Sequence, residues 1–525
     1  MHTQVSSTAS ATLLTDSQMS GFVRDGYVVV QPNELPAELH AHLFSAAVDL
    51  YGEVAGVGGT TTHLQYLGDN LVARIPALAQ LLHSPALQGA VRSILGDNAV
   101  LHPHHFVHSA GRSDQGFHQD GNLPWNARGH FRSHRPIAAL LFYYPQDVTE
   151  ELGPTEVLPT THYWSGTFED DESYHDDDRL DRSFDTDASK SADLAGRDRQ
   201  LAESLCRLPF AVERRRITLP AGSMLLAHYD LMHRGTRQAV GCDTKRFMYK
   251  FTFLRTQEPL EPTWNNEHRT VDTSGLRPAH ARTVERVWGW LRGDGATASS
   301  TETISALAAQ LTSSDEHVRH EAGLELGYCG AAAQGALLRS LGDPHATVRR
   351  IATFALGETR TQDARAVQAL VPMLKDADAL VRSNAAFSLG SLARVQALDS
   401  HALDALLECL DPSAEPDNLD NAALSRSTVR ECVAGALLLA AAGGQLSDAQ
   451  RLRLAAQGLQ DTDRYVRGLT VQALRLCVDA TLPEWIRLLL AYLDERQFVP
   501  RPAGPALATT PNGLWNSRTA VDSRP

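Results

Sequence analysis

Metal chemistry is first suggested by Phe117-His118-Gln119-Asp120-Gly121. In an extended segment residues i and i+2 point the same way, so His118 and Asp120 can offer an imidazole nitrogen and a carboxylate oxygen to one ion. One more imidazole from elsewhere completes a facial set of two histidines and a carboxylate, which leaves adjacent positions open on iron. The pair alone is a weak signal, because the chain holds a second copy, His228-Tyr229-Asp230. The stretches C-terminal to the two copies separate them. After His118 there is ample chain for a sheet before His233, which succeeds the strand-like MLLA run at Met224–Ala227, and Arg246 stands at the head of FMYKFTFL. An arginine there can grip the distal carboxylate of a dicarboxylic acid in a two-point fork. Starting from His228 leaves His268 or His280 as third ligand, both in polar stretches with no strand to hold them. Ligands need rigid supports, so His118, Asp120 and His233 are the expected metal set and Arg246 the carboxylate anchor.

The elements that must hold these groups change character along the chain. Residues 17–255 carry short runs of branched and aromatic residues split by Gly and Pro, such as GYVVVQ at Gly26–Gln31 and AALLFYY at Ala138–Tyr144. Such runs read as strands. Helices are expected at Asp16–Asp25, behind a Thr15/Asp16 cap, and at Pro36–Tyr51. Residues 169–200 form a polar insertion beginning EDDESYHDDDRLDR, read first as a solvated mobile loop and second as a substrate-selecting lid.

From about 303 the period becomes helical and repeats. Five segments share Val-Arg, a small or branched residue at i+4 and Leu at i+8: Val318/Ala322/Leu326, Val348/Ala352/Leu356, Val381/Ala385/Leu389, Val429/Val433/Leu437 and Val466/Thr470/Leu474. Positions i, i+4 and i+8 share one helical face. Asp315, Asp378 and Asp463 each stand three residues before the Val, where an N-cap belongs. The pattern resembles HEAT repeats of the short, phycobilisome-lyase-like type over 303–496, which implies paired helices stacked as a curved, all-α solenoid with a surface suited to a protein partner. Between the halves, 256–302 reads as a structured connection with a helix at 278–291, whose Val284, Val287, Trp288 and Leu291 share a face that packs between them. Residues 1–14 and 497–525 read as disordered.

Composition excludes several classes. The chain has 525 residues, six dispersed cysteines and a net charge of −14. That length suits two or three domains, and the acidity argues against nucleic-acid binding. No stretch is apolar enough to span a membrane and no leader is visible, so a cytoplasmic setting with reduced thiols is expected.

The helix before Gly26–Val30, the FHQDG motif, the segment GPTEVLPTTH at Gly153–His162 and the Ala221–Arg246 region together resemble the phytanoyl-CoA dioxygenase family over about 15–255. The usual family stretch ends Ile-Pro-Gly-Ser-His, whereas here Thr160 and Thr161 replace Gly-Ser. The resemblance implies a double-stranded β-helix (a cupin-like jelly roll). It also implies that His118, Asp120 and His233 bind Fe(II), that Arg246 anchors 2-oxoglutarate, and that O2 is cosubstrate, with succinate and CO2 released. Related halogenases carry a small residue in place of the carboxylate, so Asp120 points to hydroxylation or desaturation. The substrate would be a small organic molecule or a carrier-bound acyl group. Thr236 is read equally as a cosubstrate contact or a turn hydroxyl. His108 is read as a cosubstrate contact or, more commonly for such residues, a structural histidine; Trp125 is read as a pocket wall or core residue. The competing reading is a HEAT interaction scaffold whose oxygenase fold only binds, or acts on a docked protein.

Overall fold

The computed structural model describes residues 12–56, 71–111, 113–120, 132–164, 178–179, 193–206, 212–295, 299–416 and 427–477. Trp125, residues 1–11 and 497–525 of the ends, and residues 180–192 of the polar insertion lie outside them.

The chain enters through α1 (Asp16–Asp25). Thr15 accepts from Gln18 N, the Gln18 side chain answers at the Thr15 amide, and the helix stops at Gly26 with φ 87°. Only glycine suits that corner, because a Cβ would also lie 2.6 Å from His162 Nδ1. Strand β1 (Tyr27–Val30) comes next, then α2 (Ala37–Gly56), the short α3 (Leu71–Arg74) and α4 (Leu78–Leu82), and α5 (Pro85–Leu95). The remaining strands are β2 (Val100–Leu101), β3 (Phe106–Ser109), β4 (His118–Gln119), β5 (Ala138–Tyr143), β6 (Thr155–Val157), β7 (Asp178–Arg179), β8 (Arg215–Ile217), β9 (Met224–His228), β10 (His233–Gly235) and β11 (Phe247–Leu254).

They form two antiparallel sheets among the described residues. One runs β1-β9-β5-β11-β2, with β3 also on β11, and the other runs β7-β4-β10-β6-β8. Strands β5, β9 and β11 of the first sheet are buried on both faces, which is why they read as continuous apolar runs. Ala139, Leu141 and Tyr143 of β5 join the core under α1, α2 and α5, whereas Ala138, Leu140 and Phe142 face the other core. One part of the polar insertion departs from the expected loop. Asp193 caps a helix, α6 (Leu194–Leu205), by accepting from Gly196 N.

Helix α7 (Pro278–Leu291) buries Val284, Val287, Trp288 and Leu291, and Trp288 packs edge-on against Trp264 at 5.0 Å. Beyond it come α8 (Thr301–Gln310), α9 (Glu316–Tyr328), α10 (Gln334–Ser340), α11 (Ala346–Glu358), α12 (Ala364–Met373), α13 (Ala379–Ala393), α14 (Ser400–Glu408), α15 (Thr428–Ala442), α16 (Asp448–Gly458) and α17 (Arg464–Arg475). The Val-bearing helices α9, α11, α13, α15 and α17 pack on one another as one row, and the others form a second. All five Leu residues of the Val-small-Leu stripe are buried, as are four of the Val residues. Asp315, Asp378 and Asp463 cap their helices at His317, Val381 and Tyr465 N.

The arginine after each Val also has a reason. Arg349, Arg382 and Arg467 reach back to the carbonyls of Asp343, Asp376 and Asp461, bracing the preceding loop. Arg349, Arg382 and Arg430 also pair forward with Asp376, Glu415 and Asp461 of the next repeat.

The Val-bearing row lies against the chain's own N-terminal half. Glu358 of α11 accepts from Ser133 Oγ at 2.9 Å and from Arg135 Nη1 at 3.0 Å. Arg360 and Arg394 converge on Glu258 at 3.4 and 3.5 Å, Arg286 pairs with Glu325, and Tyr465 meets His104. Among the described residues no helix is long and apolar enough to cross a membrane.

Candidate metal centre

Two neighbouring strands of the second sheet create the site. His118 and His233 are directly paired across β4 and β10, so their side chains leave the sheet on one face, with ring centroids 4.6 Å apart. His118 Nδ1 donates to the Gly116 carbonyl and His233 Nδ1 to the Leu231 carbonyl, each at 2.9 Å. Those bonds fix the tautomer and leave both Nε2 lone pairs for a metal. Asp120 Oδ1 lies 3.7 Å from His118 Nε2 and 3.9 Å from His233 Nε2. One ligand atom from each of the three residues lies within 4.8 Å of the others, the one such grouping among the described residues.

Gln119, between the two ligands, points the opposite way and is buried. Its amide donates to the carbonyls of Thr161, Trp164 and Asp230, tying the ligand strand to two other segments. The Thr161 hydroxyl, an acceptor that the usual serine would also offer, takes a bond from Met232 N beside His233. Thr160 sits at φ 69°, a left-handed conformation that explains why glycine is usual there.

Burial alone would raise the Asp120 pKa. The Lys250 ammonium and the two imidazoles outweigh it and hold the carboxyl well below the usual carboxylate range. Burial pushes His233 down to about 3 against the opposing pull of Asp120. Both groups are therefore unprotonated at neutral pH, the state a metal requires.

Lys250 is the functional neighbour that sequence reasoning missed. It is buried, bonds Asp120 Oδ2, and lies on the inward face of β11 with Met248. The available signal was strand period: Lys250 is four residues past Arg246, hence on the same face. Arg246 is buried at the foot of that strand, and its Nε has no hydrogen-bond partner among the described residues. His108 stands opposite Met248 in the β3–β11 register, so it shares this face and packs on Phe106 at a tilt, with ring centroids 4.4 Å apart. Thr236 is different: its hydroxyl donates to the Pro154 carbonyl at 2.6 Å and braces a turn.

The second motif copy is structural. Asp230 pairs with buried Arg132 at 2.5 Å, and His228 Nδ1 accepts from the Asp230 amide.

A two-sheet scaffold presents two imidazoles and a carboxylate in a grouping that could hold one metal ion. Residues 22–239 match the family model of phytanoyl-CoA dioxygenase, and residues 335–425 match that of HEAT repeats. The chain thus carries a phytanoyl-CoA dioxygenase family domain followed by HEAT repeats.

Among solved structures it is similar to apo HygX from Streptomyces hygroscopicus, at 17% identity over 50% of this chain and 95% of that one, with a TM-score of 0.32. It is also similar to the epimerase SnoN in complex with Fe3+, alpha ketoglutarate and nogalamycin RO, at 16% identity over 50% and 92%, TM-score 0.33. EctD from S. alaskensis with 2-oxoglutarate and 5-hydroxyectoine is similar at 18% identity over 57% and 89%, TM-score 0.33. No curated protein matches the chain.

Proposed function

We propose that this protein is an Fe(II)- and 2-oxoglutarate-dependent oxygenase that hydroxylates or desaturates a small organic or carrier-bound substrate. The observation that carries this reading is the convergence of His118 Nε2, His233 Nε2 and Asp120 Oδ1. Two imidazoles and one carboxylate, with no thiolate, fit ferrous iron and leave one side of it open. The buried Arg246, whose Nε has no hydrogen-bond partner among the described residues, fits the distal carboxylate of 2-oxoglutarate. In this reading the two sheets form a double-stranded β-helix spanning 15–255, 256–302 is the connection, and the repeats run over 303–496.

Bound iron would couple decarboxylation of 2-oxoglutarate by O2, giving succinate and CO2, to oxidation of a substrate C–H. The chain's own residues do the rest. His118 and His233 hold their Nε2 atoms forward through the backbone bonds at Nδ1. Arg246 grips and orients the cosubstrate. His108, on the same inner face, stands beside that position. Thr236 supports it only indirectly, through the turn it braces.

Anaerobic titration of the full chain with Fe(II) and 2-oxoglutarate should raise a weak visible charge-transfer band that His118→Ala abolishes. A wild-type protein giving neither that band nor succinate under O2 would refute the assignment. The alternative, a protein-docking scaffold, is disfavoured because the Val-bearing helices already lie against the N-terminal half.

A further inference from the structure

The helix α17 is seated on the segment that leads into the metal site. Gly468 approaches Pro103 so closely that a Cβ would lie 2.3 Å from the proline Cβ. Arg464 Nη2 donates to the Pro103 carbonyl at 3.4 Å, and the Tyr465 hydroxyl meets His104 Nδ1 at 2.7 Å. His104, buried, turns onto the Phe106 ring edge-to-face at 4.8 Å. Phe106 is registered opposite Lys250, whose Nζ lies 5.6 Å from the Phe106 centroid and 5.5 Å from that of Phe142. The ammonium ends on Asp120 Oδ2, while Oδ1 faces both imidazoles.

We propose that the HEAT array is a working part of the oxygenase: α17 holds the His104–Phe106 segment as one wall of a cage around Lys250, and Lys250 is a positioning residue that makes Asp120 a single-oxygen ligand. This rests on the iron reading above and extends it. A carboxylate with both oxygens free can swing and chelate through both, occupying a position that cosubstrate or O2 needs. An ammonium on Oδ2 blocks that swing, and outer partners of this kind orient and tune a metal site. Lysine is a flexible side chain, so it needs walls; two aromatic faces supply them and attract the cation as well. Its positive charge also favours Fe(II) over Fe(III) by simple electrostatics.

The test uses the full chain and two readouts besides turnover: Co(II) affinity from its visible d–d spectrum, and the rate at which the Fe(II) form oxidises in air. Lys250→Met frees Oδ2 to chelate and removes a positive charge beside the ion, so it should tighten Co(II) binding by about 10- to 100-fold, the usual size of an outer-sphere effect, and speed air oxidation; Lys250→Arg should reverse part of both. Tyr465→Phe removes one hydroxyl, and Gly468→Ala wedges α17 away from Pro103; each should tighten Co(II) binding several-fold and speed air oxidation, in the direction of Lys250→Met. In the Lys250→Met background Tyr465→Phe should add nothing, because the route passes through Lys250.

Variants at 465 and 468 that melt earlier yet keep wild-type Co(II) affinity and oxidation rate would make the repeats mere support and overturn the proposal. So would a Tyr465→Phe effect undiminished beside Lys250→Met. Wild-type protein that binds neither Co(II) nor Fe(II) would instead bring down the iron reading itself. Should Lys250→Met fail to fold, Lys250→Arg and Tyr465→Phe carry the comparison.

Discussion

In the repeats, charged side chains pair between neighbouring units in a recurring pattern: Arg349 with Asp376, Arg382 with Glu415, Arg430 with Asp461. In the N-terminal half the buried pairs Asp120 with Lys250, Arg132 with Asp230 and Arg234 with Glu156 join distant stretches instead, without recurring. A solenoid is stabilised repeat by repeat through nearest neighbours, whereas a site built from remote strands exists only once the whole sheet is assembled. The same chemical device therefore serves modular stability in one half and a single location in the other. Contact between the halves at Glu258, Glu358 and Tyr465 blurs that division, and it is where the contrast is most easily broken.

The largest effect should come from ending the chain at residue 302. That cut leaves buried Arg135 and half-buried Glu258 without their charged partners and bares Pro103, so the fragment should fail to accumulate as a soluble monomer on gel filtration. A well-behaved fragment would mean the halves are separable after all.

Next come the two kinds of buried pair. Asp230→Ala and Asp461→Ala each strand a buried arginine and should cost about 3–5 kcal/mol in denaturant unfolding. Hydrogen exchange should separate them: loosening around Asp461 stays within adjacent repeats, whereas loss of the Asp230 carboxylate frees the turn after β9 to shift, and with it the backbone carbonyl at 230 that holds Gln119 of β4. Arg246→Ala should weaken 2-oxoglutarate by about 2–5 kcal/mol while leaving Co(II) binding alone, since it removes one partner of a buried charge pair outside the ligand set.

A smaller, graded effect concerns pH. His233 and His134, pushed by burial to about 3 and about 4, stay neutral in the fold but take up protons near 6.5 when unfolded. His162 and His228 are shifted down for the same cause. Their stabilisation is thus full above pH 6.5 and lost as pH falls toward 4, at up to about 1.4 kcal/mol per pH unit for each. Metal-free protein should melt progressively earlier from pH 7 to 4.5; a flat profile contradicts the burial of these rings. Smallest of all, Thr160→Gly should stabilise by roughly 0.5–1 kcal/mol, relief of a left-handed threonine less the entropy glycine adds to the unfolded chain.

The sequence made the convergence of His118, Asp120 and His233 legible because residue chemistry and strand period coincide there. The repeat helices and their caps were legible for a similar reason, since local pattern dictates local structure. Lys250 was not, because a lysine in a strand-like run reads as an exposed residue until its distant partner Asp120 is known. The docking of Tyr465 on His104 left no local trace at all. In the polar insertion, charge density masked a real signal, the Asp193 cap before Leu194–Leu205. Nothing in GPTEVLPTTH told which threonine would carry a positive φ and which would hold the Met232 amide.

The direct pairing of His118 with His233 has a consequence for assembly. A shift of one residue between β4 and β10 would turn one imidazole to the opposite side of the sheet, so no mispaired intermediate can hold the ion at full strength. Metal uptake should therefore lag the appearance of β-structure during refolding and coincide with its final alignment. The ion would act as a proofreader of strand registration in this protein.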